Sequence, residues 1–257
     1  MKIGVMNDPA NSVYDEVVSF GEAGYNFVDL TIEPPKALDV NVDRLRSILD
    51  RYDMFVVGHT DPCLPYAYPL PTVRDACLRE LERCARTFSA LGARIMNIHP
   101  CYASPPGMKP NLVEMNTEAL RSVVAMADSY GLAVVLENYL SPFDRASTFT
   151  KLTETVAGLQ MHLDVGHANL GKDQGDAFCQ KLRHHIRHVH VSDNRSKADD
   201  HMPLGSGNID WTKIVQALKM IGYDETITLE VFGRDPRTLF KYLDVSRNFL
   251  LDLWSQY

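Results

Sequence analysis

The sequence predicts an α/β fold of eight βα units, a single (β/α)8 TIM barrel formed as one domain over residues 1–257. Three observations carry that expectation. Short β-branched apolar runs alternate with longer amphipathic stretches along the whole chain, and eight such runs can be counted. No Pro/Gly/Ser linker or low-complexity segment divides them. Alternation alone allows a closed barrel or an open doubly wound sheet. No GxGxxG or GxxxxGK(S/T) turn follows an early run, so nothing favours a nucleotide-binding open sheet.

The runs are KIGVM (2–6), NFVDLTI (26–32), MFVVGH (54–59), RIMNIH (94–99), LAVVLE (132–137), LQMHLD (159–164), IRHVHV (186–191) and TITLEV (226–231). Their apolar middles read as strands covered on both faces. Val13, Val17, Val18 and Phe20 give the first helix, which stops at Gly24. Leu45, Ile48 and Leu49 form one face of a second helix over 42–52. Leu78, Leu81, Ala85 and Phe88 form the stripe of a third over 72–91, closed by Gly92. Similar patterns predict helices near 113–130, 146–157, 173–185, 210–221 and 236–253, with Gly131 and Gly222 as further stops.

The strand ends carry the chemistry. His59, His99, Glu137 and Asp164 close their runs, His190 and Glu230 lie just before the ends of the seventh and eighth, and Glu33 follows the second. In a parallel barrel the C-terminal strand ends gather on one rim, where barrel enzymes keep their active sites. Imidazole and carboxylate are the donors that first-row divalent metals take. His167, Asp199 and His201 follow in the loops DVGH and ADDHMPLGSG. Crowding carboxylates on one rim is expensive unless a cation neutralises them. His162 and His188 are assigned to packing or surface roles, on the reading that they alternate with the rim-facing positions.

Composition narrows the function classes. Lys+Arg number 26 against 33 Asp+Glu, a formal charge of −7, which argues against broad nucleic-acid binding. Apolar residues at 45% exclude a disordered chain. No apolar run approaches the roughly 18–20 residues that span a bilayer. The N-terminus MKIGVMNDPA enters a strand at once without a signal-peptide layout. Cys63, Cys77, Cys84, Cys101 and Cys179 form no CxxC pair, and an odd count speaks against a disulfide framework. A cytoplasmic protein with reduced thiols is the expectation. The helical exterior leaves room for a homo-oligomer, without a coiled-coil seam that would announce one.

The segments NIHP, LEN, HLDVGHA, HVHVSDN, DDHMPLGSGNIDW and LEVF, in this order, resemble the xylose-isomerase-like barrel superfamily. That superfamily includes sugar isomerases and epimerases, inosose dehydratase-type lyases and the endonuclease IV-type apurinic endonucleases. Its sugar epimerase branch implies one divalent metal (Mn, Co, Zn or Mg) on Glu137, Asp164, His190 and Glu230. The endonuclease branch implies two or three zinc ions, adding His59 and His99 beside Glu137, and His167, Asp199 and His201. Three departures stand out. Pro62 occupies the place of the endonuclease tyrosine after the first histidine, and Phe143 that of a second epimerase glutamate. Arg195 follows His190 by five residues, where the epimerases space their arginine by six.

The expected activity is an isomerase or epimerase acting on a small sugar, sugar phosphate or polyol ketone. Glu137 and Glu230 would be its acid–base pair, removing a proton beside a metal-bound carbonyl. His167 and Arg195 would position substrate oxygens, and Tyr66, Tyr68, Tyr102, Tyr139 and Phe232 would wall the pocket. The alternatives are a zinc phosphodiesterase, an inosose dehydratase-type lyase and a non-catalytic sugar-binding barrel.

Overall fold

The computed structural model describes all residues from Met1 to Tyr257. Eight parallel strands follow one another around a closed barrel in chain order. They are β1 (Lys2–Met6), β2 (Phe27–Ile32), β3 (Phe55–Thr60), β4 (Ile95–Ile98), β5 (Ala133–Glu137), β6 (Gln160–Asp164), β7 (Ile186–Val191) and β8 (Thr226–Leu229). Nine helices alternate with them: α1 (Val13–Glu22), α2 (Val42–Tyr52), α3 (Pro71–Ala90), α4 (Leu112–Asp128), α5 (Ala146–Thr155), α6 (Val165–Leu170), α7 (Gly175–Leu182), α8 (Trp211–Met220) and α9 (Pro236–Ser255). No helix is long and apolar enough to cross a membrane.

Local chemistry sets the helix ends. Asn41, Asn111, Asp210 and Asp235 cap α2, α4, α8 and α9, each accepting a backbone N–H three residues on. The stop expected after α3 is Gly92 at φ +79°, a backbone angle that disfavours a side chain. The helix α6 was not expected. It begins directly after β6, so His167 stands on a helical turn rather than in a loop.

The chain gathers into two compact units. One comprises Val5–Glu137 with Lys151–Gln160, and the other Met1–Gly4, Asn138–Thr150 and Met161–Tyr257. In the first, register aligns Thr31 with His59 across β2 and β3, and His59 with Asn97 across β3 and β4. In the second, it aligns Asp164 with His190 across β6 and β7, and His190 with Thr228 across β7 and β8. Strand period two then separates each strand into two faces. On β8, Ile227 and Leu229 face one way and Thr226 and Thr228 the other, all buried. On β8 one buried face is therefore apolar and the other polar, and both faces are covered as the sequence predicts.

Candidate metal centre

In the unit carrying β2 to β5, the side chains of His59, His99 and Glu137 converge, with donor atoms all within 4.8 Å of one another. His99 Nε2 lies 3.2 Å from Glu137 Oε2, and Asn97 Nδ2 donates to the same oxygen at 2.8 Å. The Asn97 amide nitrogen also sits 3.3 Å from His59 Nδ1, and Asp29 Oδ1 is 3.6 Å from that nitrogen. Asp29 and Asn97 are fully buried. Sequence reading missed both, although a lone Asp in FVDLTI and a lone Asn in RIMNIH were the available signals. Glu33 stays at the edge of this group. Burial raises its carboxyl, against a 3.1 Å hydrogen bond from Thr31 that lowers it.

In the unit carrying β7 and β8, a second group forms around His190. His190 Nδ1 is 3.1 Å from Glu230 Oε2 and 3.9 Å from Asp164 Oδ2, and all three residues are buried. Asp164 is held from two sides. Its backbone N–H donates to Asn138 Oδ1 and its carbonyl accepts from Asn138 Nδ2, both at 2.8 Å. Its Oδ1 caps α6 by accepting the His167 N–H at 2.6 Å. The close approach behind it requires Gly166. A Cβ there would stand 2.7 Å from Ser192 Oγ and 3.2 Å from Asp164 Oδ1.

Asp199 joins the two remaining histidines, with Oδ2 3.0 Å from His167 Nε2 and 3.1 Å from His201 Nε2. Burial works to raise the Asp199 carboxyl. The hydrogen bonds and charges of His167 and His201 outweigh it and hold the group below the usual carboxylate range. For His201, burial lowers the imidazole, but Asp199 and the charges of Glu230 and Asp164 carry it up to about 9. His201 Nδ1 also reaches the Glu230 carbonyl at 3.0 Å, and the Phe232 ring stacks on its imidazole at 4.2 Å.

A third missed residue anchors this loop. The buried Asp193 carboxylate accepts N–H groups from Asn194, Gly205 and Trp211 Nε1, each at 2.9 Å, and from Ile209 at 3.3 Å. Asp193 and Met202 also exchange backbone hydrogen bonds of 2.9 and 2.8 Å, so the segment bearing Asp199 and His201 has a fixed base.

The other expected residues divide. Tyr139 packs edge-on to His167 at 4.7 Å, and Phe232 remains 53% exposed beside His201. Tyr66 is instead buried and bonded to Asn116 Oδ1 at 2.8 Å. Arg195 is exposed. His162 and His188 are fully buried, which excludes the surface role. The alternation argument is also corrected: each stands two residues before a rim donor, so it shares that donor's face. All five cysteines are free, and burial pushes the Cys84 and Cys179 thiols up to about 12.

Buried carboxylates held against imidazoles, with backbone and amide groups fixing their orientation, suit a divalent cation. The mixed nitrogen and oxygen donor set fits Mn, Co or Zn better than Ca. Asp164, His190 and Glu230 could ligate in one unit, and His59, His99 and Glu137 in the other.

Residues 20–250 match the xylose isomerase-like TIM barrel family. The chain belongs to that family. An uncharacterized protein of Methanocaldococcus jannaschii is 29% identical over 229 residues, covering 82% of this chain and 75% of that one. The crystal structure of a D-tagatose 3-epimerase-like protein superposes with a TM-score of 0.88 at 24% identity, covering 100% of this chain and 99% of that one. The IolI protein, solved with a bound zinc atom, gives 0.81 at 17% identity over 100% of this chain and 99% of that one.

Proposed function

We propose that this chain is a divalent-metal-dependent epimerase or isomerase of a small sugar, sugar phosphate or polyol ketone. The observation that carries the reading is the buried contact of His190 with Glu230 and Asp164, a donor group that is costly to bury without a cation. Glu137, which ends β5, is the fourth ligand that the family resemblance implies. The sugar-epimerase-like name of one structural neighbour and the zinc in another support the same class.

A bound divalent ion supplies Lewis-acid polarisation of a carbonyl. The protein's own groups do the rest. Of Glu137 and Glu230, one carboxylate takes the proton from the carbon beside the carbonyl, and the other returns a proton to the opposite face. His167, held by Asp199 and packed against Tyr139, presents its ring to a substrate hydroxyl together with Arg195. Phe232 offers an exposed aromatic face to the C–H side of a sugar. The Asp193 anchor keeps the Asp199–His201 segment in register with Glu230.

The test is solvent exchange. Purified protein incubated in D2O with a panel of ketoses and inososes is expected to place deuterium at the carbon beside the carbonyl. Exchange together with loss of water from an inosose would assign the lyase variant of the same chemistry. No exchange with any polyhydroxylated ketone would remove the proposal.

One observation favours a second reading, a zinc phosphodiesterase with two or three ions. His59 and His99 also gather on Glu137, and Asp199 bridges His167 and His201. Against it stand the net charge of −7 and Pro62. Cleavage of an abasic duplex would decide for it.

A further inference from the structure

The polar face of β6, β7 and β8 carries a second layer behind the proposed ligands. Register aligns His162 with His188 and His188 with Thr226, two residues before the pairs Asp164–His190 and His190–Thr228. His162, His188 and His190 are fully buried, and one ring nitrogen from each falls within 4.8 Å of the others. That spacing alone is compatible with a cation site. His188 decides otherwise. Its Nδ1 lies 2.7 Å from Thr226 Oγ1 and its Nε2 3.2 Å from Thr228 Oγ1, so both nitrogens are already engaged by hydroxyls. Turning a lone pair toward a metal would strand a buried hydroxyl.

The trio is a packed stack. The His162 ring meets His190 nearly edge-to-face, with centroids 4.0 Å apart at 72°, nearer than the 4.5–7 Å usual for aromatic pairs. His188 packs on His162 at 4.7 Å and on His190 at 5.0 Å. His190 can place Nδ1 toward Glu230 only in one ring orientation, since a half-turn about χ2 would put a carbon there. Contact at 4.0 Å blocks that turn.

Building on the metal reading above, we propose that His162 and His188, anchored by Thr226 and Thr228, are positioning residues. They lock the His190 ring with Nδ1 toward Glu230 and Asp164, and so set metal affinity. They touch neither substrate nor ion. Groups that orient a ligand in this way typically account for 10- to 100-fold in metal affinity.

The test is Mn2+ binding to the full chain, followed by EPR of the free ion, with thermal melting alongside. Thr228→Val keeps the side-chain shape but removes the hydroxyl, and His162→Ala removes the ring. Each is expected to weaken binding by about 10- to 100-fold. Thr228→Ser, which restores the hydroxyl, is expected within about fivefold of wild type. A role confined to stability would lower melting temperature in all three and leave the affinity of the folded protein unchanged. The near-isosteric Thr228→Val keeps the test open if His162→Ala does not fold. A folded Thr228→Val protein binding Mn2+ within about threefold of wild type overturns the inference while leaving the metal reading intact. A wild-type chain that binds neither Mn2+ nor Zn2+ overturns both.

Discussion

Replacing Asp193 by alanine tests how the loop over the site is held. The carboxylate is fully buried and accepts four N–H groups. Two of the donors, on Asn194 and Trp211, belong to residues buried to 0% and 4% exposure, and water cannot readily replace the lost acceptor. Gly205 is exposed and Ile209 half-buried, so their N–H groups can be rehydrated when the loop relaxes. A hydrogen bond to a charged partner contributes about 1.5–3 kcal/mol, and two unrelieved losses give about 3–6 kcal/mol. Urea unfolding followed by tryptophan fluorescence reads this directly, because Trp211 is one of only two tryptophans. Asp193→Asn retains one acceptor oxygen and should fall between Asp193→Ala and wild type. A loss below about 1 kcal/mol for Asp193→Ala would refute the anchoring argument.

Three further outcomes follow from the site and its surroundings. Glu137→Gln and Glu230→Gln should each lower turnover by about 100- to 10,000-fold in the epimerisation assay, and near-wild-type rates in either would remove that residue as acid or base. Gly166→Ala should destabilise by about 1–3 kcal/mol and weaken metal binding, since the new Cβ presses on Ser192 and Asp164; unchanged melting and affinity would contradict the close packing. Burial raises Glu16 to about 7 against hydrogen bonds from Asn11 and the Asp8 backbone, so the folded state holds this proton more tightly than the unfolded chain. Its contribution to stability is full below the ordinary value of 4.5 and is lost as pH rises through about 7. Glu16→Gln should therefore gain on wild type in urea midpoint between about pH 5 and pH 8, and parallel curves would refute the assignment.

Much of this architecture could be read from residue order. Apolar runs and helical stripes locate every strand and eight of the nine helices, because barrel strands and their covering helices have different periods. Glu137, Asp164, His190 and Glu230 stand out because charged groups at strand ends have no packing explanation. The remainder depended on three-dimensional detail. The helix α6 has only six residues and starts from a metal-type carboxylate, so no periodic pattern precedes it. Asp193 looks like one polar residue among many in SDN until its four donors, three of them eleven or more residues away, are brought to it. The packing role read for His162 agrees with its burial, but the face read for it does not, since two residues along a strand return to the same side. Arg195 illustrates the reverse, a role implied by resemblance alone for a side chain that is exposed.

Metal content per chain tests the central claim most directly. Elemental analysis after equilibration with Mn2+ and Zn2+ and gel filtration should return one ion per chain for wild type. The ion should be lost in His190→Ala and retained in His59→Ala. Retention of the ion in His190→Ala, or no bound ion in wild type, would contradict a centre built on Glu137, Asp164, His190 and Glu230.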